Sequence, residues 1–435
     1  MRRVAITGMG IVSPLGIGKE EHWAGLASGR TAIARSQRLA NQDFPVQVVA
    51  EIPDSTLQGQ LHRLPRKQLK LFSRVMRFSM IAAALAVEDC ALGDSPIDAT
   101  RYGVFLGTFF TTLDLPAFLQ WMSEAESTAS AETLDLCRAN SYCMTSINPV
   151  DYSLKTMPNL AAGHIAIGQN AQGFCRVIAD GCTGGLQAVG QAFLAVRENQ
   201  LDIALCGGAE APLEEFVFIN LCTLDFLGRN GADAGTVCRP FDVGRSGAVL
   251  GEGAAMLILE EWERARTRGA PIYGEIIGYG VSAGDATVGL ESERVKAVAE
   301  RLGLAMGSAL EQAGIEGVDM IAANGDSTKV NDLAETRAIK QVFGAKAKEV
   351  AITASKALHG HLISGSGPLE ISGALLALNR NLIPPTLNLR CAEEQGDLHY
   401  ISGRALERTG MKSALVNAIG LFGESASLVV RKANC

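Results

Sequence analysis

Net positive charge, histidine and long apolar runs are all scarce in this 435-residue chain, and each scarcity removes a class of function. Its 39 Lys and Arg residues are outnumbered by 46 Asp and Glu, leaving a net charge of −7 with no long Lys/Arg run. That excludes a general attraction to nucleic acid. The N-terminal MRRVAITGMGIVSPLG meets glycine before a signal-peptide core or a membrane span could form, so it reads as a buried first strand. No Cys-x-x-Cys pair occurs, and of six histidines only His359 and His361 stand close together, so no zinc-site spacing is present. Ten cysteines without regular spacing, and no export signal, predict reduced thiols in the cytoplasm. With 47% hydrophobic and 20% charged residues, the composition is that of a globular protein long enough for two domains or one large duplicated unit.

Strand-like apolar runs alternate with helical periodicity along the whole chain. The runs are Val4 to Ile6, Gly103 to Leu106, Ile203 to Cys206, Ala254 to Leu259, Ile272 to Tyr279, Met320 to Ala322 and Ser427 to Val430. The helical stretches are Arg74 to Cys90, Leu186 to Glu198, Glu293 to Ala313 and Asp332 to Phe343. This alternation predicts α/β layers. VAITGMGIVSP near the start echoes EIIGYGVSAG at Glu275 to Gly284 in its order of apolar run, glycine and turn. Two similar halves are therefore expected, 1–260 and 261–435, meeting near the polar segment Glu260 to Gly269.

One thiol stands out by its context. In RVIADGCTGGLQAVGQAFLAVR, the apolar Val177, Ile178 and Ala179 stop at glycine, and Leu186, Val189, Phe193, Leu194 and Val196 then recur at nearly helical spacing. Cys182 therefore opens a helix. Unpaired N–H groups and the partial positive charge there favour a thiolate, and any oxyanion formed beside it, which suits attack on a thioester. A buried structural cysteine is the ordinary alternative. The strand, glycine and helix context selects the reactive reading.

Four further segments follow in order: CRPFDVGRSGAVLGEGAAMLILEE from Cys238, ANGDST from Ala323, SKALHGHLISGSG from Ser355 and NAIGLFGESASLVV from Asn417. With Cys182 they resemble the β-ketoacyl-acyl-carrier-protein synthases of the thiolase-like superfamily, especially the elongating type, from Val4 to Val430. The resemblance implies a five-layered α/β/α/β/α fold of two duplicated halves, a homodimer, acyl carrier protein as partner, and no cofactor beyond the phosphopantetheine that carries the substrates. It implies an acyltransferase in fatty-acid or polyketide synthesis, in which Cys182 takes an acyl group and two histidines promote decarboxylation of a malonyl thioester. His361 matches one of them, and Lys356 and Glu335 match a pair, expected as an ion pair, that orders the site.

The chain departs from that family at the other histidine. The family's HGTxT segment is replaced by Asn324, Gly325, Asp326, Ser327 and Thr328, so Asn324 stands for the histidine. Thr328 matches one of two threonines that bind the pantetheine arm, and Asp326 replaces the other. Decarboxylation builds enolate charge on a thioester oxygen, which needs donors rather than a base, and asparagine can donate without carrying charge. Asp326 works against this, because a carboxylate repels a malonyl carboxylate; it offers instead a base for cyclisation of a tethered acyl group. Non-elongating ketosynthases lack the first histidine and only transfer acyl groups, which makes transfer or cyclisation the alternative activity. A non-catalytic partner subunit in a heterodimer is a third reading, against which Cys182 counts.

Other departures touch the substrate. Leu421 stands where the family's gating phenylalanine lends an N–H to the oxyanion site, Phe422 replaces a glycine, and Glu424 and Ser425 replace a threonine and an asparagine. Phe109 and Phe110 follow Gly107 beside the expected acyl tunnel, which predicts a short, branched or unusual acyl group. Arg63, Arg66, Lys67 and Lys70 form the densest basic cluster, where the resemblance implies docking of the acidic carrier protein.

Overall fold

The computed structural model describes residues 1–39, 44–92, 96–110, 115–126, 133–146, 155–224, 226–229, 233–284, 289–393 and 396–433. The strands that carry the architecture are β1 (Val4–Ser13), β2 (Tyr102–Gly107), β3 (Cys175–Ile178), β4 (Ile203–Glu210), β5 (Gly253–Glu261), β6 (Gly274–Ser282), β7 (Met320–Ala322), β8 (Ala351–Thr353), β9 (Ser413–Ile419) and β10 (Ser425–Lys432). They lie in the order β1, β5, β4, β2, β3 in the first half and β6, β10, β9, β7, β8 in the second. The same order is used twice. In the first set β1–β5 and β4–β5 are antiparallel while β2–β4 and β2–β3 are parallel. The second set repeats those directions pair for pair. The sequence echo falls on β1 and β6, the equivalent first strands, which also pair with each other where Val4 meets Ile276 and Ile6 meets Gly274.

Five helices complete the layers: α1 (Arg74–Asp89), α2 (Gly184–Arg197), α3 (Glu291–Ala313), α4 (Lys329–Phe343) and α5 (Ser366–Arg380). Leu186, Val189 and Phe193 of α2 and Ile371, Leu375 and Leu378 of α5 share a core with residues from both halves of the sheet. These two helices form the middle layer. Phe78, Ile81 and Ala86 of α1 cover the outer face of the first half of the sheet, and Val298, Leu302, Ala338 and Ile339 of α3 and α4 cover that of the second half. Along β5, Leu257 and Leu259 face the middle layer while Met256 and Ile258 face α1. A strand buried on both faces has no polar side, which is why AMLIL reads as one apolar run.

The middle layer depends on missing side chains. A methyl group at Gly185 would lie 1.8 Å from the Ser364 carbonyl oxygen, and one at Gly107 would lie 2.3 Å from the Gly185 nitrogen. Both obstacles are backbone and cannot swing away. Gly185→Ala is therefore expected to destabilise the fold by about 3 kcal/mol or more, read as a fall in the urea midpoint. An unchanged midpoint would contradict this packing.

Of these strands and helices, three lay outside the sequence reading. β8 has only three residues, β9 carries the polar Asn417, and α5 begins in SGSGP, which resembles a turn. Pro368 is tolerated because it sits in the first turn of α5, where its missing N–H has no intrahelical partner to lose.

Candidate active site

Duplication decides which loops meet. β3 enters α2 through a 3-10 turn, Gly181–Thr183, and the second half enters α5 through a matching turn, Ile363–Gly365. The first residue of each turn is left-handed, with φ of 54° at Gly181 and 46° at Ile363. Glycine adopts this freely and isoleucine only under strain, a cost of order 1–3 kcal/mol that active sites commonly hold. Ser364 Oγ donates to the Gly181 carbonyl at 2.8 Å and clips the two turns together. Cys182 and Ile363 consequently share one apolar cluster with Phe218, Leu221, Phe226 and Leu250.

Cys182 is buried at the head of α2, and Phe109, Phe110 and Leu421 close its cluster from the partly exposed side. An apolar lining of this kind suits an acyl chain. The two phenylalanine rings meet edge to face at 4.6 Å. Their backbone N–H groups donate to Glu210 at 3.0 and 3.2 Å, which anchors them at the end of β4. Glu210 escaped the sequence reading. Its signal was an acid closing an apolar strand directly after Gly207 and Gly208 and Ala209; burial pushes its carboxyl up to about 7. Burial also pushes the Cys182 thiol well above its usual value; the charges of Glu424, Asp326 and Glu210 add to this and Lys356 opposes it. The resting thiol is therefore protonated, against the thiolate expected from a helix start alone.

His361 is fixed by an acceptor role. The Ile363 N–H donates to its Nδ1 at 2.9 Å, so the neutral ring carries its proton on Nε2. Burial and the Lys356 charge push the imidazole down to about 3, keeping it neutral. Its Nε2 is buried with no hydrogen-bond partner among the described residues, a donor beside the thiol's cluster. Phe226 packs edge-on against the ring at 5.6 Å.

Asn324 lies in the loop between β7 and α4. Its N–H and that of Gly325 each donate to Glu335 at 2.9 Å, and Lys356 Nζ donates to its carbonyl oxygen. The ion pair expected between Lys356 and Glu335 is thus not direct: the Asn324 backbone stands between the two, and Asn417 completes the Glu335 contacts at 3.0 Å. The Asn324 side chain is held by the Ile419 N–H on its oxygen at 3.2 Å and donates through Nδ2 to Asp326 at 3.0 Å. One of its amide hydrogens stays uncommitted.

Asp326 is wholly buried and accepts from Asn331 Nδ2 at 2.6 Å and from the Thr328 N–H at 2.9 Å. Burial opposes its ionisation, but the hydrogen-bond donors Asn331 and Thr328 hold the carboxyl below its usual value. Thr328 Oγ1 caps α4 by accepting from the Asn331 N–H at 3.2 Å, and its hydroxyl donates to the Asp326 carboxylate. Leu421 and Phe422 part company. Both line a cleft of ≈ 320 Å³ with Phe109, Gly181 and Glu424, but Leu421 also joins the thiol's cluster whereas Phe422 is 52% exposed.

The basic cluster also divides. Arg66, Lys67 and Lys70 are exposed and make no ion pair among the described residues, but Arg63 is half-buried and paired with Glu88. Among the described residues no group of three or more His, Cys, Asp or Glu is placed to hold a metal, and no helix is long and apolar enough to cross a membrane.

A duplicated sheet order wrapped around two central helices, each led by an active-site turn, defines the thiolase fold. Comparison with known proteins narrows the class. Residues 1–265 match the family model "Beta-ketoacyl synthase, N-terminal domain" and residues 273–390 match "Beta-ketoacyl synthase, C-terminal domain". The chain belongs to the β-ketoacyl synthase family. It is 31% identical to 3-oxoacyl-(acyl-carrier-protein) synthase 2 of Synechocystis, over 99% of this chain and 98% of the relative. It is 32% identical to a putative polyketide β-ketoacyl synthase 1 of Streptomyces halstedii, again over 99% and 98%. Among solved structures, a β-ketoacyl synthase from Burkholderia phymatum superposes with a TM-score of 0.83 at 30% identity, covering all of both chains.

Proposed function

We propose that this protein is a ketosynthase of fatty-acid or polyketide synthesis that receives an acyl group from acyl carrier protein on Cys182 and joins it to a second thioester. The observation that carries this reading is a buried thiol in an apolar pocket, clipped to the turn that presents the unpartnered Nε2–H of His361. The thiol loses its proton and adds to the acyl thioester carbonyl, and the pantetheine thiolate leaves, taking up a proton. A malonyl thioester then binds with its carbonyl oxygen toward His361 Nε2–H and the free Asn324 amide hydrogen. The bond to the carboxylate breaks, carbon dioxide departs, and the carbanion attacks the acyl-Cys182 carbonyl to release the cysteine. Asn324 is the weaker donor, because its other hydrogen is shared with a carboxylate.

One observation favours a second reading. Asp326 is buried, ionised and next to both donors, so it repels the malonyl carboxylate and leaves transfer or cyclisation of the acyl group as the chemistry with least electrostatic cost. In either case Phe109 and Phe110 restrict the acyl group to a short or unusual one, and Arg66, Lys67 and Lys70 supply the docking charge. A solved ketosynthase described in complex with its acyl carrier protein, at 27% identity and TM-score 0.80, supports that partnership. A homodimer would extend the sheet at β3, whose Cys175 and Arg176 are exposed on the edge.

Incubation with acyl- and malonyl-acyl carrier protein together, followed by intact mass of enzyme and carriers, separates the readings. Acyl-Cys182 with a longer β-ketoacyl product and carbon dioxide release supports condensation. Acyl-Cys182 without decarboxylation selects transfer or cyclisation, and no acylation at any chain length selects the partner-subunit role.

A further inference from the structure

Glu424 occupies ground that the acyl-transfer chemistry needs. The side chain folds back over its own loop, so that a methyl group on Gly420 would lie 1.8 Å from Glu424 Oε1. The same oxygen would lie 3.0 Å from a methyl on Gly181, the residue before the nucleophile. The carboxylate is therefore wedged between the Gly420 loop and the turn that carries Cys182. It gathers that loop's amides: the Phe422 N–H donates to Oε2 at 3.1 Å, and the N–H groups of Leu421 and of Glu424 itself also bond toward it. It makes no hydrogen bond to the Cys182 sulfur among the contacts of the described residues. A thiol-abstracting role does not fit this placement.

Attack of a thiolate on a thioester places negative charge on the carbonyl oxygen, and that oxyanion needs preorganised N–H donors close to the cysteine. The loop amides beside Gly181 are such donors, and Leu421, which owns one of them, packs in the cluster of Cys182. A carboxylate bound there competes with the oxyanion for the same hydrogens. Its charge also disfavours the thiolate.

We propose that Glu424 is a gate on acylation: its carboxylate holds the loop amides beside Cys182 in the resting protein and withdraws toward the adjoining cleft when an acyl thioester enters. The cleft gives it somewhere to go, since Glu424 lines that space together with Phe422, Asp180 and Gly284. This rests on the acyl-transfer reading above and adds a positioning residue to it. Glu424 acts on the reaction by yielding its hydrogen bonds.

The test uses the full chain as wild type, Glu424→Ala and Glu424→Gln, each mixed with butanoyl, octanoyl and dodecanoyl thioesters of N-acetylcysteamine. Acyl-Cys182 is followed by intact mass, with melting temperatures as a folding control. Glu424→Ala is expected to acylate about tenfold faster than wild type, about the effect of restoring part of one oxyanion interaction. Glu424→Gln is expected in between, since its amide oxygen still accepts from the loop but carries no charge. A purely structural residue could only slow the reaction, so acceleration is the signature. Equal or lower rates in both variants would sink the gate and leave acyl transfer standing; no acylation in any of the three proteins would sink both.

Discussion

A Cys182→Ser protein is expected to form no acyl-enzyme, with acyl transfer reduced by about 10³-fold or more, the scale seen when a nucleophile is removed from a catalytic unit. The substitution is nearly isosteric, so folding should survive. The chemistry should not, because a serine hydroxyl needs a base to become nucleophilic and the turn supplies none: no hydrogen bond to the side chain of Cys182 appears among the described residues. The native thiol shows the related limit. Burial, Glu424 and Asp326 push it above its usual value, so the reactive thiolate is scarce at neutral pH and grows tenfold for each pH unit. Iodoacetamide labelling of Cys182 should therefore keep rising through pH 9. A plateau below pH 8 would contradict the buried, carboxylate-ringed thiol described here.

The next largest effect is expected from His361→Ala. Acylation of Cys182 should change by less than about threefold, whereas formation of the condensed or transferred product should fall by about 10²–10³-fold, the cost of one oxyanion donor. His361 Nε2–H is buried and neutral and has no hydrogen-bond partner among the described residues, whereas Asn324 already shares one amide hydrogen with Asp326. Stopped-flow acylation and product analysis separate the two half-reactions. If both fell together, His361 would belong to thiol activation or to folding, and the split of roles would be wrong. A pH profile sharpens the test. Because burial and Lys356 push the imidazole down to about 3, its charge is lost well below neutrality and no inflection from His361 is expected between pH 5 and 8.

Much of this was legible in the chain because local pattern and global fold agree. The alternation of short apolar runs with helical periods announced α/β layers, and the runs were continuous because strands such as β5 are buried on both faces. The echo between the first strands of the two halves carried real topology: β1 and β6 hold the same place in a repeated strand order. The site was half legible. Cys182 could be found because it opens a helix in a glycine-rich turn, whose left-handed Gly181 the structure retains, whereas His361 could be found only by its match to the family's motif.

What sequence determined by itself, then, is the duplicated layered fold, a cysteine at a helix start and which residues stand where the resembling family carries its histidines. Only the tertiary structure decided how these groups affect one another. Lys356 and Glu335 are joined through the Asn324 backbone rather than directly, Asp326 is locked against Asn324 and Asn331, and Glu424 covers the loop beside Gly181. The physical reason is separation along the chain. Cys182, Asn324, His361 and Glu424 come from loops of two different halves, and their mutual distances are set by how α2 and α5 pack through glycines that bring backbone onto backbone. No local pattern encodes that approach, yet it fixes which carboxylate faces the thiol and which donor is left free.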